Sequence, residues 1–300
     1  MIFRVFLFLA TFFLVSIFKI EVKTYVQVQP AEGQQQMSDF SLSGFGEKGK
    51  KSWDLTGKQA DIASEIIKLN NIESNFYGDR ENMKLTADRG NFDRVKGSMH
   101  LEKDVVITTS SGARLTTNSL DWDRKEQLVT TPDPVNIVKD DMTIDGQGVR
   151  ANTGLNIVNL EKDVKVQIDN VAVSGSPKKG KIEITCDGPL EVDYQKNLAT
   201  FHDKVKVHTQ DGLIESDAMD VYFSGDKAPA DQPKQAQSEE LNGSKIDKII
   251  ARGSVKITRG QNVSFSDEAV YSARERKITL TGRPKLVIFS EEKFNAPLGN

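Results

Sequence analysis

Cysteine is almost missing from this chain. Its 300 residues contain one, Cys186, so no intramolecular disulfide can form. Cys186 sits in the alternating run "IEITCDG" and reads as a small buried residue. Histidine is nearly as scarce. His100, His202 and His208 have no second His or Cys at ligand spacing, which argues against a metal centre, and no cofactor is expected. A charge excess of one sign is also lacking. Forty Lys and Arg face 43 Asp and Glu, net −3, in a mixed order with no basic block. Bulk attraction to nucleic acid is therefore excluded as the design. No nucleotide-binding P-loop is present, and no Ser-His-Asp set follows from the spacing, so the chain does not read as an enzyme. The many Asp residues lie at turns, where they bond their own backbone, without the dense Asp/Gly repeat of a Ca²⁺ array.

Helical periodicity is the next absence. Only "KQADIASEIIKL" (58–69) has helical spacing, at Ile62, Ile66 and Leu69. The alternation Trp53-x-Leu55 just before it favours strand or irregular structure there. Trp53 and Trp122 both have apolar alternating neighbours and read as core.

One long apolar run is present. "MIFRVFLFLATFFLVSIFKI" is apolar from Ile2 to Ile20 apart from Arg4, Lys19 and small hydroxyl residues. As a helix it spans about 28 Å, one hydrocarbon core. No small-x-small cleavage site and no lipobox cysteine follows it. The expectation is an uncleaved single-pass anchor over 1–20, with everything beyond about residue 21 on one side of the membrane. Arg4 argues for the N-terminus inside, while Lys19 and Lys23 dilute that signal.

The phrase Leu-Glu-Lys-Asp-Val occurs twice, at 101–105 and 160–164. It belongs to a wider pattern, apolar-x-x-x-apolar-x-apolar. Leu101, Val105 and Ile107 fit it, as do Thr131, Val135 and Ile137; Leu160, Val164 and Val166; Phe201, Val205 and Val207; and Ala251, Val255 and Ile257. Ile72 followed by Phe76, and Leu280 followed by Pro284, Leu286 and Ile288, extend it at the two ends. The copies start at 72, 101, 131, 160, 201, 251 and 280, a step of about 29 residues with two longer steps. Those steps carry insertions near "VSGSPKKGK" (173–181) and at 224–245. A second phrase follows inside the units, as in "LTADRGNF", "LTTNSLDW" and "FSDEAVYS", with turn signals such as "SSGA", "KDDM" and "TQDG" between. Each unit is predicted to be two strands of about eight residues, and the units to stack, because one hairpin cannot bury its apolar face alone. Fold class is therefore all-β, an elongated repeat whose inward faces form one long apolar channel or groove.

The phrases from "MSDFSLSGFGEKGKKSWDLTGKQADI" through "LTADRGNFDRVKGSMHLEKDVVITTSSGARLTTNSLDWD" to "MTIDGQGVRANTGLNIVNLEKDVKV" resemble the periplasmic domain of the lipopolysaccharide-export LptC family. A single N-terminal span is also the arrangement of that family. Residues of about 181–289 are similar to the OstA/LptA-type β-jellyroll. The chain is longer than the usual LptC pattern. The implied organisation is an anchor at 1–20, a linker at 21–38, an LptC-like jellyroll at 39–173, an OstA/LptA-like jellyroll at 181–289 interrupted by 224–245, and a tail at 290–300.

The resemblance implies an inner-membrane protein with its bulk in the periplasm. Such a protein receives lipopolysaccharide from an ABC transporter and passes it along an apolar groove toward the outer membrane. The inward positions expected to contact acyl chains are Leu101, Val105, Ile107, Val135, Ile137, Leu160, Val164, Val166, Phe201, Val205, Val207, Val255 and Ile257. Each also has a plain reading as core. The last copy lacks its second phrase, which leaves "LVIF" (Leu286, Val287, Ile288 and Phe289) as an edge for pairing with a bridge jellyroll or an outer-membrane acceptor. Two other readings stay open on the residues alone: a β-helix glycan-binding protein or lyase, and an anchored scaffold.

Overall fold

The computed structural model describes residues 34–45, 49–63, 65–77, 82–110, 112–123, 125–126, 128–152, 157–172, 179–193, 195–223, 246–272, 274–275 and 277–289. The expected anchor, most of the linker, the 224–245 insertion and the tail lie outside them. Seventeen strands form one sheet. They are β1 (Gln34–Phe45), β2 (Lys51–Ala63), β3 (Ile66–Tyr77), β4 (Asn82–Asp93), β5 (Ser98–Thr109), β6 (Arg114–Asp123), β7 (Leu128–Lys139), β8 (Met142–Asn152), β9 (Ile157–Ala172), β10 (Lys179–Cys186), β11 (Leu190–Asp193), β12 (Leu198–Thr209), β13 (Gly212–Phe223), β14 (Ile246–Arg259), β15 (Asn262–Ser272), β16 (Lys277–Thr281) and β17 (Lys285–Val287). Except between β10 and β11 and between β16 and β17, each pairs antiparallel with the next. Two positions in the ladder hold a strand broken in half. β10 and β11 both lie between β9 and β12, and β16 and β17 both pair with β15. The 58–69 stretch is strand, with its helical spacing crossing the β2–β3 turn.

Most strands run 10 to 14 residues rather than the expected eight, because each bends in the middle instead of ending there. The repeated phrase is the bend. Glu102 faces Ser119 and Val105 faces Thr117, so β5 holds one residue more than its partner across this step. The extra residue is a β-bulge. Lys103 and Asp104 adopt φ of 64° and 48°. In a straight strand Lys103 would share a face with Leu101 and Val105. The bulge turns Lys103 and Asp104 out to solvent and leaves both apolar neighbours facing in. The same surplus occurs in β7, β9, β12 and β14. Asp163 and Asp203 repeat the left-handed backbone, which Asp tolerates better than most residues. In β14 the bend is Gly253 at φ 75°, and a Cβ there would meet the Asp217 side chain at 2.3 Å.

The line of bends folds the sheet so that the halves of the long strands turn their inward side chains into one shared cluster. A valine at each bend stands opposite a small residue: Val105 and Thr117, Val135 and Gly146, Val164 and Cys186, Val205 and Ser216, Val255 and Ser266. That alternation lets the halves close at the apex of the wedge. A Cβ on Gly146 would come within 2.6 Å of Leu160.

Two details of the sequence reading need correction. The first copy does not start at Ile72. Its bend is Asn71, at φ 52°, between buried Leu69 and Ile72, and β3 has no extra residue, so the apolar spacing shrinks from four to three. The last strand is three residues long and stops short of Ile288 and Phe289 in the expected edge "LVIF", because β17 pairs only with Val263–Phe265 of β15. β9 pairs with β10 from Ala172–Lys179 to Val164–Cys186, so the two implied jellyrolls are one sheet.

Candidate functional site

All thirteen expected lining positions face the interior and are buried in one apolar cluster. Val105, Leu160 and Val205 have no exposed surface at all, and the most open of the thirteen, Ile257, is 9 % exposed. The interior at these positions is therefore closed to solvent. Side chains from both halves of the folded sheet fill it. Their neighbours in the opposite phase face out: Val106 and Lys165 are half-buried and Lys206 is exposed. Of the edge residues, Leu286, Ile288 and Phe289 are 61 %, 66 % and 60 % exposed and Val287 is partly covered. The Phe289 N–H donates to Asn262 Oδ1 at 3.2 Å.

Burial falls from the apex toward the strand ends over part of the sheet. Ile67, Phe92, Met99 and Trp122 on one side, and Ile168 and Ile182 on the other, are only partly buried although they point inward. The hairpin turns at those ends form two lips. One lip is built from a recurring device. Asp93 Oδ1 accepts the N–H groups of Val95 and Lys96, at 3.0 and 2.9 Å. Asp123 Oδ1 does the same for Lys125 and Glu126, and Asp193 for Gln195 and Lys196. Ser272 Oγ accepts from Glu275 in the matching hairpin. The turn N–H of Lys96 leads the causes that hold the Asp93 carboxyl below its ordinary value. For Asp193, burial pushes upward, but the Lys196 side chain and the turn N–H groups outweigh it and the net shift is downward. The first two of these turns are written "DRVKG" (93–97) and "DRKEQ" (123–127). The bonding offset that makes them one motif appears only in three dimensions.

Cys186 packs at the apex, and burial pushes its thiol up to about 11, which suits a structural rather than a reactive role. Among the described residues no cluster of three His, Cys, Asp or Glu is placed to hold a metal ion.

An apolar interior that runs through a bent repeat sheet, with no reactive constellation on it, calls for comparison with known families. Residues 4–169 match the lipopolysaccharide-assembly, LptC-related family, over more than half the chain. The chain belongs to the LptC-related family. Residues 183–296 match a second family, the LptA/(LptD N-terminal domain) LPS transport proteins. No single curated protein matches closely enough to count as a relative. The protein acts in periplasmic transport of lipopolysaccharide toward the outer membrane, as a transport component and not as an enzyme. The boundary between the two matched segments falls in the β9–β10 hairpin, where the LptC-related ladder continues directly into the LptA-type one.

Proposed function

We propose that this LptC-related protein is a membrane-anchored conduit whose interior takes the acyl chains of lipopolysaccharide. In this reading residues 1–20 cross the inner membrane and the remainder is periplasmic. The lipid arrives from an ABC transporter near the N-terminal end and leaves past the C-terminal edge. There Leu286, Val287, Ile288 and Phe289 pair with the next jellyroll or with an outer-membrane acceptor. One observation carries the reading. Among the described residues the inward-facing apolar positions of both matched segments belong to a single cluster, which includes Val164 and Val166 of β9 and Cys186 of β10.

Occupancy requires the closed halves to part along the line of bends. Lipid methylenes would then replace side-chain contacts already shielded from water. Each buried CH₂ is worth roughly 0.8 kcal/mol, so exchanging one apolar partner for another is close to balanced. A chain could advance along such a series without a deep well at any point.

The test is site-specific photo-crosslinking in cells. Crosslinkers at Val105, Val164 and Val207 are expected to capture lipopolysaccharide, and those at Val106, Lys165 and Lys206 are not, because adjacent residues of a strand face opposite sides. Equal capture by both phases would defeat the reading. For the anchor, the intact N-terminus is expected in the membrane fraction. A soluble mature form starting near residue 20 would contradict it.

A further inference from the structure

Six Ser and Thr residues are buried among the described residues: Ser74, Thr109, Thr117, Thr131, Ser216 and Ser266. The four in the LptC-matched segment are bonded within the protein. Ser74 Oγ donates to the Asp54 carbonyl at 2.7 Å, and Thr109 Oγ1 accepts the Ala113 N–H at 3.0 Å. Thr117 Oγ1 lies 3.4 Å from Thr131 Oγ1, which also accepts the Asp133 N–H. The two in the LptA-matched segment are not. Ser216 and Ser266 are 5 % and 7 % exposed, and neither Oγ has a hydrogen-bond partner. A hydroxyl taken out of water without a partner is a loss to the fold, and such groups are rare in native interiors. Two of them, both in one half, call for a partner that the protein itself does not supply.

Both hydroxyls stand on the inward face at the apex. Ser216 pairs with Val205, and Ser266 with Val255. β13 and β15 are two strands apart, so the serines are about 10 Å from each other. Ser264 shares the inward face of β15 with Ser266. It lies between Ile257 and Leu286 and is partly buried. From Leu85 to Ile257 the row that ends at Ser264 is apolar, with Ile107, Ile144, Val166 and Val207 among its members. Hydroxyls therefore enter the inward wall of this row beyond Ile257, and they enter it singly, with valine or isoleucine beside each. A sugar ring, with oxygens on most of its carbons, would leave most of them unpaired against such a wall. A hydrocarbon chain that carries a single oxygen matches it.

We propose that Ser216 and Ser266 form a polar subsite inside the C-terminal half that binds the hydroxyl groups of hydroxylated acyl chains. This rests on the conduit reading above. A serine hydroxyl is both donor and acceptor, and a hydroxyl on the chain matches both capacities, whereas an ester carbonyl only accepts. The N-terminal half, with its buried hydroxyls already bonded, takes a lipid by apolar contact alone. The C-terminal half adds hydrogen bonds. A hydroxylated chain is therefore held more tightly near the C-terminal edge than a plain chain of the same length.

The experiment uses the full-length protein in phosphatidylcholine nanodiscs, with a crosslinker at Val207 as the readout of lipid in the interior. Two probes are compared, both acylated disaccharide phosphates. One carries 3-hydroxytetradecanoyl chains and the other tetradecanoyl chains, so ester and phosphate contacts are common to both. Wild type is expected to bind the hydroxylated lipid about tenfold more tightly, the effect of one or two hydrogen bonds made to hydroxyls that had none. Ser216→Ala/Ser266→Ala is expected to bind the two lipids alike. Thr117→Val, which removes a hydroxyl already bonded within the protein, is expected to keep the preference. Should the double variant not fold, Ser216→Ala is read in its place, with a weaker preference expected. Equal capture of the two lipids by wild type overturns the subsite and leaves the conduit standing, with the two hydroxyls holding water only. A preference that survives Ser216→Ala/Ser266→Ala overturns it too, as does an equal loss in Thr117→Val, since any change at the apex would then suffice. No capture at Val207 with either lipid removes the conduit reading and the subsite with it.

Discussion

The LptC-matched half and the LptA-matched half share one bend geometry but finish it differently. In the first, the hydroxyl at the apex has a partner: Thr117 Oγ1 lies 3.4 Å from Thr131 Oγ1. In the second, Ser216 and Ser266 occupy equivalent apex positions, buried, with no hydrogen-bond partner for either Oγ. Along the inward row just beyond the bend, exposure rises from 1 % at Ile107 and Ile137 to 2 % at Val166, 8 % at Val207, 9 % at Ile257 and 61 % at Leu286, while the bend valines Val205 and Val255 stay at 0 % and 1 %. The outer face changes as well. The position between the two apolar residues after the bend is Val106 and Asn136 in the first half. In the second it is Lys206, Lys256 and Lys285, which continue from Lys165 at the end of the first half as one cross-strand row interrupted by Thr185, Glu215 and Phe265. At and beyond the bend the first half is filled by its own side chains, although Ile67, Met99 and Trp122 near its strand ends stay only partly buried. The second is less sealed and shielded outside by charge, as suits a segment whose interior is finished by a ligand or a neighbour.

The sharpest way to break this contrast is to cut matching holes in the two halves. Leu160→Ala removes a fully enclosed side chain beside the β9–β10 joint and is expected to cost about 3–5 kcal/mol, the upper part of the range for such truncations. Ile257→Ala, where the wall is looser, is expected to cost about 2 kcal/mol. Equilibrium denaturation in urea gives both values. Equal losses would mean that the halves are packed alike and that the exposure gradient carries no energetic weight.

A second pair tests the apex, with effects of opposite sign. Gly146→Ala pushes a methyl into Leu160 and is expected to destabilise by about 1–3 kcal/mol. Ser216→Ala deletes a buried hydroxyl that bonds nothing, and is expected to be neutral or stabilising by up to about 1 kcal/mol. If Ser216→Ala were clearly destabilising, the hydroxyl would have a partner in solution and the half would be better satisfied than the geometry indicates.

How far these features were legible in the sequence depends on what sets them. The inward phase was readable because Leu101-x-x-x-Val105-x-Ile107 is written in side-chain type, and burial follows type. The bend was not, because it depends on one surplus residue relative to strands that pair from elsewhere in the chain. The first copy was misplaced for that reason: β3 carries the bend at Asn71 without the surplus, so a search for the four-residue spacing landed on Ile72. The length of β17 was overestimated because an apolar run shows what favours strand, while the partner in β15 decides how much of it pairs.

A smaller effect separates the anchored turns from the rest. The Asp193 carboxyl titrates below its unfolded value, so its contribution is fully present above that value, near pH 4, and is lost as pH falls through the lower folded value. Asp193→Asn is expected to cost about 1 kcal/mol at pH 7, since it removes charge assistance from two backbone bonds. Melting curves of wild type and variant are expected to converge below pH 4. A gap that persisted in acid would assign the loss to shape rather than to charge.

The least stabilising residues sit where the two halves differ most, at the open edge. Ile288 lies beyond the last paired residue, Val287, and its side chain is 66 % exposed, so Ile288→Lys is expected to change stability by less than about 0.5 kcal/mol. The proposed role of this edge asks far more of the same residue. β17 is short, it starts just after Pro284, and Lys285 faces out from it, which are the usual guards against indiscriminate pairing. Beyond Lys285 the guards stop. A partner strand that added here would extend the sheet and cover Leu286, Ile288 and Phe289 together, so a lysine placed at 288 would have to be buried in the joint. Co-purification with the neighbouring jellyroll is therefore expected to be lost in Ile288→Lys while the melting temperature and membrane insertion stay as in wild type. Retention of the partner by a folded, inserted Ile288→Lys protein would place the joint elsewhere. The exposed edge would then be an unfinished end of the sheet, with no bearing on transport.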